Sequence, residues 1–256
     1  MKVFAAVIAV ALLLTAAGVA EAGKIGEFSA SSKGVVTGDQ VRVFLNTDAD
    51  ADWEVDSKVT AGRFEFEFGT LLSGDIVPVK KSGTTDRFST YCIELTDTIS
   101  GGSMNWDVVD PVNNSGGEVS AVESDALKVL WQDQNAGEIT DTTTAAAVQL
   151  LIWEIVYDGA AVSGGGYLNS SALSLTGGDF QVSTHTDYAS IVSKANTILS
   201  GLDFENDPLA DLYGMINDSQ DQLFEGELVP LPSSALAGMA FLGMLALVRI
   251  RRKRQL

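Results

Sequence analysis

The sequence is poor in the side chains that build most catalytic and metal sites. Its 256 residues contain one cysteine, Cys92, and one histidine, His185. So few ligands cannot hold zinc, and no serine triad can be assembled without a placed histidine. No glycine-rich phosphate loop follows a predicted strand either. His185 lies in the polar stretch STHTD, and we interpret it as a surface residue rather than a proton shuttle.

Basic residues are also scarce. Between Gly23 and Leu228 there are 10 Lys and Arg residues against 33 Asp and Glu residues, a formal charge of −23. This charge repels phosphate groups and argues against nucleic acid or anionic lipid as the main partner. The stretch DADAD, Asp48 to Asp52, begins like a calcium loop, but Trp53 and Val59 replace the glycine and glutamate that an EF-hand requires. We predict a solvated acidic loop, with no metal and no other cofactor.

Both ends of the chain carry patterns of export. Residues 1–22 combine Lys2, an apolar run and the small-residue site Ala20-Glu21-Ala22, which together predict a cleaved signal peptide, with a membrane anchor as the alternative. The uncharged segment Leu228 to Val248 is long enough to span a bilayer. Because five basic residues follow within Arg249 to Arg254, that end is expected on the cytoplasmic side. The domain between them is therefore expected outside the cytoplasm.

Hydrophobic periodicity predicts an α+β fold. From residue 23 to about 97, apolar and polar residues alternate as in half-buried antiparallel strands, most clearly at Val41, Val43, Leu45, Phe64, Phe66 and Phe68. Residues 101–117 are rich in Gly, Asn and Ser and predict a loop.

The second half of the chain is predicted to be mainly helical. A helix over 120–134 begins at a capping box formed by Ser120 and Glu123. Further helices are predicted over about 142–157 and 188–202, and residues 209–228 predict short strands or an acidic tether.

Cys92 lies in the predicted strand YCIEL. Alternation places Tyr91, Ile93 and Leu95 on one face and Cys92 on the other, which a further element must cover. Exported proteins that use cysteine for stability use it in pairs, and Cys92 has no second cysteine. It is therefore a buried inert thiol, an intermolecular link or a reactive group.

Gln149 is a polar residue in an apolar helical stripe. The stripe of the second predicted helix consists of Ala145, Val148, Ile152, Trp153 and Val156. A buried amide without partners costs about 1–3 kcal/mol, so Gln149 requires an explanation. One interpretation is a hydrogen-bonded core glutamine. Another is attack by the Cys92 thiolate on the Gln149 side-chain carbonyl, with loss of ammonia and formation of an internal thioester. The spacing of the two residues does not decide between these interpretations.

The segments YCIEL, Tyr91 to Leu95, and VQLLIWEIVYD, Val148 to Asp158, resemble the paired motifs of bacterial thioester domains. The resemblance implies that Cys92 donates the sulfur and Gln149 the acyl group, with Tyr91, Trp153 and Glu154 as supporting members of the motifs. A third motif is not found in residues 164–202.

The thioester family resemblance also implies a fold and an activity. It implies an α+β protein in which an antiparallel sheet or barrel-like β subdomain carries an inserted helical subdomain. It further implies a covalent adhesin that reacts once with an amine or hydroxyl on a target protein or polysaccharide, and that is not an enzyme in the ordinary sense.

The C-terminal segment VPLPSSALAGMAFLGMLALVRIRRKR resembles the PEP-CTERM sorting signal. Its proline motif is Val229-Pro230-Leu231-Pro232, an apolar helix follows, and the basic cluster includes Arg249, Arg251 and Arg252. The resemblance implies processing by an exosortase in a Gram-negative bacterium and delivery from a membrane-anchored precursor to the cell surface or the exopolysaccharide matrix. A plain tail anchor is the alternative.

These patterns divide the chain into four parts. They are a signal peptide at 1–22, a thioester-like domain at 23–205, an acidic strand or tether at 206–228, and the sorting signal at 229–256. The alternative function is that of a non-catalytic structural protein of a biofilm matrix, in which Cys92 is simply packed. A third hypothesis, an enzyme that cleaves surface sugars with paired carboxylates, is not supported by any distinctive spacing of acidic residues.

Overall fold

The computed structural model describes most of the region between the two predicted export signals. The described residues are 24–45, 55–95, 99, 102–110, 119–159, 166–217 and 220–229. The predicted signal peptide, the acidic loop at 48–52 and the sorting signal from Pro230 onwards lie outside them. Within the described ranges, no helix has both the length and the apolar character needed to cross a bilayer.

The protein is a mixed α+β structure built on a large antiparallel sheet. The eight strands are β1 Lys24–Leu45, β2 Val55–Ser73, β3 Ile76–Pro78, β4 Arg87–Cys92, β5 Ser103–Val109, β6 Phe180–Val182, β7 Leu212–Ile216 and β8 Gln222–Leu228. Their order is β2-β4-β8-β7-β5-β1-β6, and β3 pairs with β8. Because β1 also pairs with β2, six of the strands form a closed circuit of hydrogen-bonded neighbours.

Strands β1 and β2 form a long antiparallel pair. The predicted alternation is confirmed at Val41, Val43 and Leu45, which are all buried. Four register shifts interrupt the pairing and allow so long a ribbon to bend. At one point Gly38 lies opposite Gly62, and the two backbones approach so closely that neither position has room for a Cβ atom.

Three α-helices confirm the helical predictions to within about one residue at each end. They are α1 Ala121–Gln134, α2 Thr142–Asp158 and α3 Ala189–Gly201, and short 3-10 turns occur at Ala136–Glu138, Ser170–Ala172 and Thr186–Tyr188. The predicted capping box is present at the start of α1, where Ser120 and Glu123 each bond the other's backbone N–H. The Asp141 carboxylate caps α2 by accepting from the Thr144 N–H at 2.7 Å.

The core lies between the sheet and α2. Aromatic rings from five strands meet edge to face or tilted at centroid distances of 5.5–6.0 Å, and they belong to Phe28, Phe66, Phe88, Trp106 and Phe224. Helix α2 is buried at every position from Ala145 to Val156 and packs against β1, β2 and α3. A helix buried on all sides places any polar residue that it carries inside the protein, and this determines the environment of Gln149.

Two predictions about local structure were wrong. Residues 103–109, predicted as part of a loop, form β5, because they pair with β1 on one side and β7 on the other while Trp106 and Val108 enter the core. The strand around Cys92 covers Arg87–Cys92 rather than Tyr91 to Leu95, and it ends where its pairing with β8 ends. Residues 209–228, for which short strands and an acidic tether are the two predictions, contain β7 and β8.

Candidate functional site

The structure places Gln149 directly against Cys92. Gln149 is fully buried near the middle of α2, and Cys92 is the last residue of β4. The Cys92 backbone N–H donates to Gln149 Oε1 at 3.0 Å, and Gln149 Nε2 donates to the Cys92 carbonyl oxygen at 2.7 Å. Both ends of the amide are thus satisfied by the main chain of one residue, and the structure places the two residues in contact.

The sulfur atom of Cys92 has other partners. Its S–H donates to Gln220 Oε1, with 2.9 Å between Sγ and the oxygen, and Gln222 Nε2 donates to Sγ at 3.0 Å. Gln222 opens β8, and Gln220 lies just before it. The helix therefore covers the backbone of Cys92, whereas the neighbouring strand holds its sulfur.

The environment keeps the thiol neutral. Burial raises the pKa of Cys92 well above its ordinary value, the Gln222 N–H lowers it, and the negative charge of Glu94 raises it further. Because burial is the largest of these effects, the free thiol is not a thiolate at neutral pH. An acylated sulfur has no charge to solvate, so the same burial is compatible with a thioester and would shield it from water.

A cleft of about 620 Å³ opens beside the cysteine. Its floor includes Cys92, Gln220 and Trp153, and its walls come mainly from β1 and β2, with Ser32, Val35, Ser57, Lys58, Val59, Thr60 and Phe64. A cavity of about 500 Å³ lies elsewhere, along α3, and contains none of the predicted site residues. Cys92 thus borders a cleft that is open to solvent.

The residues to which the motif resemblance assigns a supporting role lie in different parts of the structure. The Tyr91 hydroxyl donates to the Ala136 carbonyl at 3.2 Å, and its ring meets Trp131 edge to face. Trp153 packs on Phe180 in the core, and its indole N–H has no hydrogen-bond partner among the described residues.

Glu154 is turned away from the cysteine. Its Oε1 accepts from the Ser174 N–H at 2.5 Å. Burial raises the pKa of Glu154 to about 8, the Ser174 hydrogen bond lowers it, and the charge of Asp158 raises it. No contact joins Glu154 to the thiol or its amide partners within the described structure.

The remaining predicted residues lie outside this group. His185 is exposed and its Nδ1 lies 3.1 Å from an oxygen of Asp187. Trp106 and Trp131 are buried in the core, while Tyr167 is exposed. Of the proline motif only Val229 is described, and its N–H donates to the Asp75 carbonyl at 2.7 Å.

Sequence reasoning missed Gln220 and Gln222. The sequence did contain a signal of their burial. In a strand, residues 220, 222 and 224 share one face, and Phe224 is a large apolar residue that favours the core. The acidic composition around them favoured an exposed tether instead.

Comparison with known proteins adds no relative to this description. No protein-family model matches the sequence, and no significant match is found among curated proteins or solved structures.

Proposed function

We propose that this is an exported surface or extracellular-matrix protein that binds its target covalently through an internal thioester between Cys92 and Gln149. The observation that carries the proposal is the pair of hydrogen bonds between the buried Gln149 amide and the Cys92 main chain. They hold a buried amide against the main chain of the residue that carries the single thiol, across 57 residues of sequence.

The proposed bond forms in a balanced step. Sγ attacks Cδ of Gln149, the C–N bond breaks, and ammonia leaves with the thiol proton. The Cys92 N–H, 3.0 Å from Gln149 Oε1, is a donor to the oxygen on which negative charge develops, as in an oxyanion hole. A target amine or hydroxyl then attacks the thioester carbonyl, gives its proton to the sulfur and becomes joined to Gln149. Each molecule reacts once, so the protein is a covalent adhesin rather than an enzyme.

The architecture is compatible with this proposal. Within the described residues, the three α-helices fall between β5 and β7 in the chain, which supports a barrel-like β subdomain with an inserted helical subdomain. We further propose, from the sequence alone, a signal peptide, an exosortase as processing partner, and display on the surface or in the matrix of a Gram-negative bacterium.

Intact mass spectrometry of the exported domain tests the thioester. We expect the wild-type mass to be lower by one ammonia, and methylamine to restore it as an adduct that peptide mapping locates at Gln149. Cys92→Ala and Gln149→Ala should each abolish the deficit. Gln181→Ala, at a half-buried glutamine of β6, is the matched control and should keep it. A full-length mass in freshly purified wild-type protein would contradict the proposal.

The position of Gln220 calls for one further variant. Because Gln220 Oε1 lies 2.9 Å from Sγ, this residue is the competing acyl donor. Gln220→Ala should keep the deficit, and a methylamine adduct mapped to residue 220 would reassign the bond.

A second candidate function is that of a non-catalytic matrix protein. The observation in its favour is that the Cys92 thiol and the Gln149 amide already have all the hydrogen-bond partners of well-packed core groups. It predicts a full-length mass and little effect of Cys92→Ser on surface retention.

A further inference from the structure

Gln222 is held in one orientation beside the sulfur. It lies opposite Cys92 in the β4–β8 pairing and is fully buried. Its Nε2 lies 3.0 Å from Sγ and 3.1 Å from the Asp221 carbonyl oxygen, and its Oε1 accepts from the Thr90 hydroxyl at 2.9 Å. A carbonyl only accepts hydrogen bonds, so the Asp221 oxygen requires the NH2 end of the amide on the sulfur side.

Gln220 is held in the opposite orientation. Its Nε2 donates to the Glu94 carbonyl at 2.5 Å, which turns its Oε1 toward Sγ. The sulfur thus has one acceptor, Gln220, for its proton and one donor, Gln222, for its lone pair. A main-chain carbonyl fixes each amide, so the two glutamines are not interchangeable.

We infer that Gln222 is the positioning residue that stabilises negative charge on the Cys92 sulfur while the proposed thioester forms and opens. When a target nucleophile attacks, the C–S bond breaks and its electron pair passes to Sγ, to which the Gln222 N–H is already directed. The sulfur then takes the proton released by the nucleophile. This inference rests on the proposed thioester, whereas its action on the free thiol is measurable without one.

Two acidic residues lie close to the sulfur. Glu94, two residues after Cys92, raises the pKa of the thiol through its negative charge, and its Oε2 accepts from the Asp221 N–H at 3.2 Å. The buried Asp221 lies between Gln220 and Gln222. Both acidic residues stay unchanged in every variant below, so differences between variants report on the glutamine donor.

The first experiment measures the opening of the thioester in the full exported domain. Gln222→Met keeps the side-chain length but has no donor. We expect methylamine to open its thioester about tenfold more slowly than in wild-type protein, because the departing sulfur loses a hydrogen bond to its negative charge. Gln220→Met removes the acceptor instead and should slow opening less. Equal rates for folded Gln222→Met and wild-type protein would overturn the inference.

The second experiment does not require a thioester. In a Gln149→Met background, the rate at which iodoacetamide alkylates Cys92 is measured at one fixed pH of about 9. Adding Gln222→Met should lower this rate about tenfold, because loss of the donor lowers the fraction of thiolate at that pH. Thr90→Val, which leaves Gln222 in place and removes the hydroxyl bonded to its Oε1, should lower the rate by less.

The outcomes separate the two proposals. A wild-type protein without the ammonia deficit contradicts the thioester, and the alkylation rate then decides whether Gln222 acts on the sulfur. A wild-type protein with the deficit and an unchanged alkylation rate in both Gln222→Met and Thr90→Val overturns the role of Gln222 alone. A loss of folding in Gln222→Met leaves Thr90→Val to decide by the same rate.

Discussion

Gln149 and Glu154 are two polar residues on the same buried helix, five positions apart, and both have no exposed surface. Gln149 is satisfied at both ends of its amide by the Cys92 main chain. Glu154 has one oxygen bonded to the Ser174 N–H, while its other oxygen has no partner among the described residues.

The difference shows that burial costs more free energy for an ionisable group than for a neutral one. A neutral amide needs only its hydrogen bonds, whereas a carboxylate also loses the solvation of its charge. Burial therefore raises the pKa of Glu154 to about 8, so that it holds a proton through most of the neutral range. Position 149 is a fixed, uncharged partner of Cys92, and position 154 is a titratable group attached to the segment around Ser174.

The largest expected effect comes from removing the satisfied amide. In a Cys92→Ala background, where no thioester forms, Gln149→Leu leaves a buried N–H and a buried C=O of residue 92 unpaired. We expect the free energy of unfolding to fall by about 2–5 kcal/mol in urea titrations, since each unpaired group costs about 1–3 kcal/mol. The control Gln132→Leu, at an exposed position of α1, should change it by less than about 0.5 kcal/mol. A loss no larger than that of the control would show that the two hydrogen bonds do not stabilise the fold.

The next effect concerns the charge at position 154. Between its ordinary pKa of 4.5 and the folded value of about 8, the folded protein holds a proton that the unfolded chain has released. Stability from this group is therefore complete below about pH 4.5 and falls as the pH rises toward 8. Glu154→Gln removes the fall, so the variant should match wild-type protein near pH 5 and exceed its stability at pH 9 by on the order of 2–4 kcal/mol.

Denaturation curves at several pH values measure this difference. Glu205→Gln, at an exposed position, is the control and should follow the wild-type pH dependence. A constant offset between Glu154→Gln and wild-type protein from pH 5 to pH 9 would mean that the carboxylate does not ionise within this range.

The smallest effect concerns the helix that carries both residues. Hydrogen bonds from Thr144 lower the pKa of Asp141, so its contribution is present above its ordinary value of 3.8 and is lost as the pH falls below the folded value. Asp141→Ala should lower the thermal midpoint slightly at pH 7, and the difference should fade toward pH 3. Asp141→Asn keeps an N-cap acceptor and should retain most of the midpoint at pH 7. A loss in Asp141→Ala that is independent of pH would attribute the effect to contacts other than the charged cap.

The sequence predicts elements whose own residues determine them. Helices α1 and α2 have a local cap, a helical period and a terminating Asn135 or Gly159, and each is found where predicted. Strand β5 does contain a short alternation, with Met104, Trp106 and Val108 separated by Asn105 and Asp107, but the Gly, Asn and Ser residues around it favoured a loop, and the strand is defined by its pairing with β1 and β7. Only tertiary structure supplies that pairing.

The candidate site also contains one contact that the sequence predicts and two that it does not. The approach of Gln149 to Cys92 was expected, because a lone amide in an apolar stripe requires a partner and the motif resemblance supplied one. The approach of Gln220 and Gln222 was not expected. Their burial depends on β8 lying between β4 and β7, and the order of strands in a sheet cannot be read from local periodicity.

The place of β8 in the sheet has a mechanical consequence. Tension applied to the chain beyond Val229 enters the fold through this strand, whose last three residues pair with β3 and whose first residues pair with β4 and β7. The part that carries Gln222 cannot leave one neighbour alone, because the β4 and β7 ladders resist the load together. The same strand carries Gln222, so a pull strong enough to shift β8 would displace the donor from the sulfur and make bond chemistry at Cys92 sensitive to force.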